Sequence, residues 1–233
     1  MSRTRKPPQR RPTQLPLEFR TWGGARRGAG SKPTGASAGV SHAPRSLHDG
    51  RHPVHVTLRI SRGLPSLRSQ VCLGVVRKAF QAGRIYFGFR LVHYAVQAGH
   101  VHLLVEAPER RTLARGVQGL CVRIARRLNQ KLGRRGRVFS DRYHARALRT
   151  PREVRNALAY VLLQTRRHGA QLHVGISTEL DPGTSAGCFE GWTRQPASRA
   201  GPWQATVAGA KTWLLRAGWM RHGRIDPREI PGR

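Results

Sequence analysis

An α+β domain is what this sequence predicts: a ferredoxin-like antiparallel sheet with helices on one face. Three observations predict it. Stretches of apolar alternation and stretches of helical periodicity follow one another in the order β-α-β-β-α-β-α, which a four-stranded sheet backed by two helices satisfies, with the last helix across it. The two middle strands are joined by the tight turn Gln97-Ala98-Gly99, as an antiparallel hairpin requires. Finally, the pattern begins only at Val54; residues 1–50 carry Pro, Gly, Ser and Arg with few large apolar side chains, the composition of a disordered arm.

The elements follow in order. Val54 to Ile60 alternates apolar and polar residues and is rich in β-branched side chains, which predicts a strand. Gly63 and Pro65 mark a turn and a helix start, and Leu67, Val71, Val75 and Phe80 keep helical spacing until Gly83. Arg84 to Val96 reads as one long strand and His100 to Glu106 as its hairpin partner, closed by Pro108. From Thr112 to Leu132, Leu113, Val117, Leu120, Cys121, Ile124 and Leu128 form an apolar stripe, with arginines on the remaining surface. Val138-Phe139 and Tyr143 to Leu148 predict a fourth strand, broken near Ser140-Asp141. Thr150-Pro151-Arg152-Glu153 opens a helix, with Thr as N-cap, Pro at the first position and Glu at the third. Val154, Leu158, Val161 and Leu162 carry that helix to about His168. The expected organisation is an arm over 1–50, a domain over 51–170 and a C-terminal extension over 171–233. In the extension, Ala208 to Leu215 is expected to form a short helix, with Trp213 and Trp219 as anchors on the core.

Composition narrows the function. Lys and Arg number 43 against 11 Asp and Glu, a formal net charge of +32. Such a chain repels itself unless a polyanion offsets the charge, and nucleic acid is the natural partner. Most of the cations are arginine, which suits bidentate contacts to phosphate. No apolar run has transmembrane length and the N-terminus lacks a signal-peptide pattern, so no membrane role is expected. The cysteines, Cys72, Cys121 and Cys188, are far apart and form no Cys-x-x-Cys pair, which argues against a zinc ribbon and for reduced thiols in the cytoplasm.

Two constellations suggest chemistry. His100 and His102 lie two apart on one strand, so they share a face while Val101 points into the core. Two imidazoles so placed can hold one divalent metal. Tyr160 and Gln164 lie four apart on the last helix and share its face. A phenol, an amide oxygen and two imidazoles can then meet at one point. Among the other tyrosines, Tyr86 and Tyr94 are expected to pack, Tyr94 on the same face as Val92 and Val96, and Tyr143 is the competitor of Tyr160. His55, His93 and His144 are secondary candidates: His55 near the metal, His93 satisfying a local hydrogen bond. Glu106 has the parity of the His pair but lies further along the strand.

The order of elements, Val54-His55-Val56-Thr57 in the first strand, His100-Val101-His102 after a tight turn and Tyr160-x-x-x-Gln164 on the last helix together resemble the IS200/IS605-like transposases. These are HUH single-strand nucleases with one catalytic tyrosine. The chain is most similar to their REP-associated tyrosine transposase branch. The resemblance covers roughly His52 to Gly169; the arm's Gly-Gly-Ala-Arg-Arg-Gly-Ala-Gly and the tail's Thr212-Trp213-Leu214-Leu215 also resemble longer members of that branch. There are departures. Many REP-associated members carry Asn-Pro four residues after the tyrosine, where this chain has Gln164-Thr165, as the insertion-sequence enzymes do. Many also have Met-Pro-Asn before the first metal His, where this chain has Gln97-Ala98-Gly99. Subgroup and substrate are therefore open.

The resemblance implies that Tyr160 attacks single-stranded hairpin DNA to give a 5′-phosphotyrosine and a free 3′-hydroxyl, so that strands are cut and rejoined. It implies that His100, His102 and Gln164 bind Mg²⁺ or Mn²⁺, of which Mn²⁺ suits imidazole better. A monomer or a homodimer fits the family. Two other readings stay open. One is a replication or mobilisation nuclease of the same chemistry, for whose usual helicase or relaxase domain 233 residues leave no room. The other is a non-catalytic basic nucleic-acid-binding protein on a ferredoxin-like fold, displaying Tyr86, Phe87 and Phe89 on its middle strands.

Overall fold

The computed structural model describes residues 48–171, 179–196 and 206–232. The expected arm therefore lies outside the described residues except for its last three. Five strands form one antiparallel sheet: β1 (Val54–Arg59), β2 (Ile85–Tyr86), β3 (Phe89–Val96), β4 (His100–Glu106) and β5 (His144–Ala147). Their spatial order is β2-β3-β4-β1-β5. The helices α1 (Gln70–Gly83) and α2 (Arg110–Lys131) supply the crossovers, and the architecture is the expected α+β ferredoxin-like one.

Strand parity decides what each face carries. On β1, Val54, Val56 and Leu58 are buried with Val101, Leu103 and Val105 of β4 in one core beneath α1 and α2. Fully buried Phe80, Leu120, Ile124 and Leu128 complete that layer from the helices. The helices lie close to the sheet because Gly116 of α2 has no side chain: a Cβ there would lie 2.1 Å from Cγ of Phe89.

The opposite face is covered by α3 (Pro151–Leu162) and the C-terminal extension. Val92, Ala95 and Leu104 pack there against Val154, Leu158, Val161, Leu162, Phe189, Trp192 and Trp219. The extension contributes α5 (Trp213–Arg216) and a 3₁₀ turn, Gly218–His222. Trp219 is the anchor of the two tryptophans; Trp213 is 51% exposed. Glu106 also holds the extension, accepting from the backbone N–H groups of Lys211 and Thr212 at 2.8 Å each and from the Thr212 hydroxyl at 2.7 Å.

Four expectations need correction. Helix α1 starts at Gln70 rather than near Pro65, because the Ser69 hydroxyl caps it by accepting from the N–H of Cys72. Leu67 belongs to the lead-in, where its N–H donates to Ala98 O at 3.0 Å. The single strand expected over 84–96 is a hairpin. Phe87 (φ 42°) and Gly88 (φ 88°) are both left-handed and turn the chain between β2 and β3, as a two-residue hairpin loop requires. An irregularity in the β3–β4 register between Leu91 and His93 puts Val92 on the α3 face, while Tyr94 and Val96 stay on the α1/α2 face. Finally, the last helix is two. Its capping box forms as expected between Thr150 and Glu153, but the chain leaves helical geometry at Leu163 (φ −115°, ψ 24°) and resumes as α4 (Gln164–Gln171). Among the described residues no helix is long and apolar enough to cross a membrane.

Candidate active site

The site forms on the α3 face of the sheet, where β4 and β1 run side by side. The register pairs Thr57 with His102 and Arg59 with His100. Parity therefore sends His55, Thr57, His100 and His102 to one face, opposite the α1/α2 core. The rings of His100 and His102 have centroids 4.8 Å apart at 86°. Nδ1 of His102 lies 3.2 Å from both Nε2 of His55 and Oγ1 of Thr57. With Nδ1 engaged by β1, the nitrogen that would meet a ligand is Nε2, a buried atom that makes no hydrogen bond.

Helix α3 brings the phenol. The ring of Tyr160 stands edge-on to His102, centroids 5.2 Å apart at 82°, and 5.9 Å from that of His55. Gln164, the first residue of α4, is 1% exposed. Its Nε2–H donates to the Tyr160 hydroxyl at 3.1 Å. Its carbonyl oxygen, Oε1, is buried and accepts no hydrogen bond. Arg167, one turn further, places its guanidinium 5.3 Å from the centroid of the Tyr160 ring.

The four side chains singled out in the sequence thus come together, although the helix carrying two of them breaks between them. Tyr160 and Gln164 still meet across the break because only Leu163 leaves helical geometry, and its N–H still donates to Ala159 O at 2.9 Å. Most of the other candidates fall elsewhere. Tyr143 packs partly buried against the α1/α2 core, on the far side of the sheet from His102. Tyr94 is fully buried there. His93 Nδ1 lies 3.1 Å from the hydroxyl of Ser185, the local bond expected for it. Glu106 is committed to the extension, whereas His144, exposed on β5, pairs with Thr57 and so shares the face of the His pair. The aromatic platform of the non-catalytic reading does not form: Phe89 is fully buried, while Tyr86 and Phe87 sit at the hairpin tip beyond the middle strands.

Burial pushes the His55 imidazole down to about 4, helped by the positive potential of His144 and Arg146. It is therefore neutral near pH 7 and touches His102 without adding charge. Sequence reasoning ranked His55 low and missed Thr57 and Arg167. Thr57 was legible from its parity with His55. Arg167 lies seven residues after Tyr160, two helical turns along the same face.

Two imidazoles and an amide oxygen, with a phenol beside them, could hold a divalent cation but do not make a structural zinc site, which takes four tightly held Cys or His ligands. Among the described residues no group of three or more His, Cys, Asp and Glu side chains is placed to hold a metal; the further candidate donor beside the His pair is the amide of Gln164.

Residues 52–164 match the model of the family described as "Transposase IS200 like". The matched segment ends on Gln164 and contains His100, His102 and Tyr160. No curated protein matches the chain. A solved structure of a REP-associated tyrosine transposase bound to a REP hairpin is 18% identical, with a TM-score of 0.44, over 55% of this chain and 74% of that one. The matched segment spans every strand of the sheet and carries His55, Thr57, His100, His102, Tyr160 and Gln164, and over residues 52–164 the chain is similar to the IS200-like transposases.

Proposed function

We propose that this protein cuts and rejoins single-stranded hairpin DNA through a covalent 5′-phosphotyrosine at Tyr160. One observation carries the proposal: the Tyr160 hydroxyl is hydrogen-bonded to Gln164 while its ring abuts His102 of the His-x-His strand. Residues 51–170 are the catalytic domain on this reading, and 171–233 an extension packed on its second face.

In the step proposed, Tyr160 Oη bonds to phosphorus, the P–O3′ bond breaks, the phenol loses its proton and the departing 3′ oxygen takes one up. The 3′-hydroxyl so formed, or another in its place, reverses the step without an external energy source. Gln164 Nε2–H points at the oxygen that does the attacking and fixes the rotation of the phenol. His55 and Thr57 hold the His102 ring by Nδ1, which fixes its orientation. His100, His102 and Gln164 Oε1 would hold Mg²⁺ or Mn²⁺. Bound there, the cation would polarise a phosphate oxygen and offset charge in the transition state. Arg167, beside the phenol, is placed to meet the DNA backbone.

The partner follows from charge and from the chemistry. A net charge of +32 suits a polyanion, and single-stranded DNA is the polyanion that the resemblance to the IS200/IS605-like transposases implies. A REP hairpin, the ligand of the REP-associated transposase compared above, is the first substrate to offer. The experiment is covalent capture of a labelled single-stranded hairpin. Tyr160→Phe is expected to abolish the adduct while binding persists, and EDTA to suppress the adduct formed by the unaltered protein. An adduct that survives Tyr160→Phe overturns the nucleophile assignment.

A further inference from the structure

We infer that Asp181, in the C-terminal extension, is a positioning residue that holds the two halves of the candidate site together. The inference rests on the reading of the site proposed above and deepens it. The site is divided. The His pair rides on the β3–β4 hairpin, whereas Gln164 opens α4, which the break at Leu163 separates from α3. Something must fix α4 relative to the hairpin, because an amide displaced by about 1 Å no longer completes a metal site.

Asp181 makes that connection with one carboxylate. Its two oxygens accept from both terminal nitrogens of Arg68, each at 2.8 Å. Arg68 in turn donates to Val96 O at 3.2 Å, at the end of β3 where the hairpin turns toward His100. The neighbouring Leu67 N–H donates to Ala98 O within the turn itself. The Asp181 carboxylate also accepts from the hydroxyl of Thr165, the residue directly after Gln164. Gly183 N–H donates to the same carboxylate at 2.7 Å, and Gly183 O accepts from Val96 N–H at 2.7 Å, so the loop lies against the β3 edge. The carboxylate side chain is only 6% exposed. Hydrogen bonds from a bidentate arginine and a hydroxyl, all to one buried carboxylate, make a rigid joint. The chain of contacts runs from the hairpin turn through Arg68 and Asp181 to Thr165 and so to Gln164.

None of these groups reaches the phenol, so Asp181 acts through Gln164 and not on the reacting atoms. Removing it is expected to loosen α4 and to weaken cation binding by roughly ten-fold, the low end of what losing an outer-shell partner costs. The experiment uses the full chain and two readouts, with Mn²⁺ alone as the probe. In Asp181→Ala, amide hydrogen exchange over 164–167 is expected to accelerate, and the Mn²⁺ concentration for half-saturation to rise about ten-fold. Thr165→Val removes one donor and keeps the Arg68 pair; it is expected to shift both readouts in the same direction by less, and it serves if Asp181→Ala does not fold. Asp181→Ala or Thr165→Val with exchange over 164–167 unchanged overturns the inference. Failure of the underlying site reading looks different: His100→Ala would then leave Mn²⁺ binding unaltered, while the exchange readout of Asp181 still responds.

Discussion

The two faces of the sheet are built from the same strands yet differ in kind. Beneath α1 and α2 the face is a continuous layer of Val, Leu, Ile and Phe. Beneath α3 it is graded. On the β3 side Val92, Ala95 and Leu104 pack against apolar side chains of α3 and the extension. On the β1 side His55, Thr57, His100 and His102 take over. Adjacent residues of one strand therefore serve stability and chemistry separately. Leu103 and Leu104 are both fully buried, one in each layer.

That pair gives the sharpest test. Leu103→Ala is expected to cost about 4 kcal/mol in chemical denaturation, because the close-packed layer cannot collapse around the cavity. Leu104→Ala is expected to cost about 2–3 kcal/mol, because its β1 partner is the half-buried His55, beside which the cavity can relax. It should also impair adduct formation, which Leu103→Ala should spare at temperatures where the variant is folded. Equal costs with equal activity would erase the distinction between the layers.

Acid should find the second layer first. Burial pushes the His93 imidazole down to about 4, whereas an unfolded chain protonates it near 6.5. Between those values the unfolded state binds the extra proton. The contribution of neutral His93 is thus complete above pH 6.5 and lost as pH falls toward 4, by up to about 1.4 kcal/mol per pH unit. His93→Gln should flatten that part of the stability–pH curve; an unchanged slope would assign the acid sensitivity to other groups. The smallest effect lies outside both layers. Phe87, 85% exposed with φ 42°, sits where a Cβ is strained, and Phe87→Gly should stabilise the hairpin by about 1 kcal/mol. A loss instead would mean that the edge-on contact of the ring with Tyr86, centroids 4.7 Å apart, outweighs the strain.

Much of this was legible in the sequence, and the reasons are local. Period-two alternation fixed the face of His100 and His102, and Thr150-Pro151-Arg152-Glu153 announced its helix start through side chains that bond to the adjacent backbone. What stayed hidden depends on partners distant in the chain. The Leu163 break falls within an unbroken helical pattern and carries no Gly or Pro. Phe87 is not a residue that signals a left-handed turn. The shift near Val92 arises from strand pairing, which alternation within one strand cannot report. The role of Asp181 follows from a contact 113 residues away.

The interruption at Leu163 divides the support of the site. The Tyr160 phenol and the Gln164 amide stand on separate pedestals, one clamped by the apolar layer and the other tethered to the tail. On the proposed reading, a change at residue 181 reaches the amide first, and the phenol only through the hydrogen bond that the amide gives it.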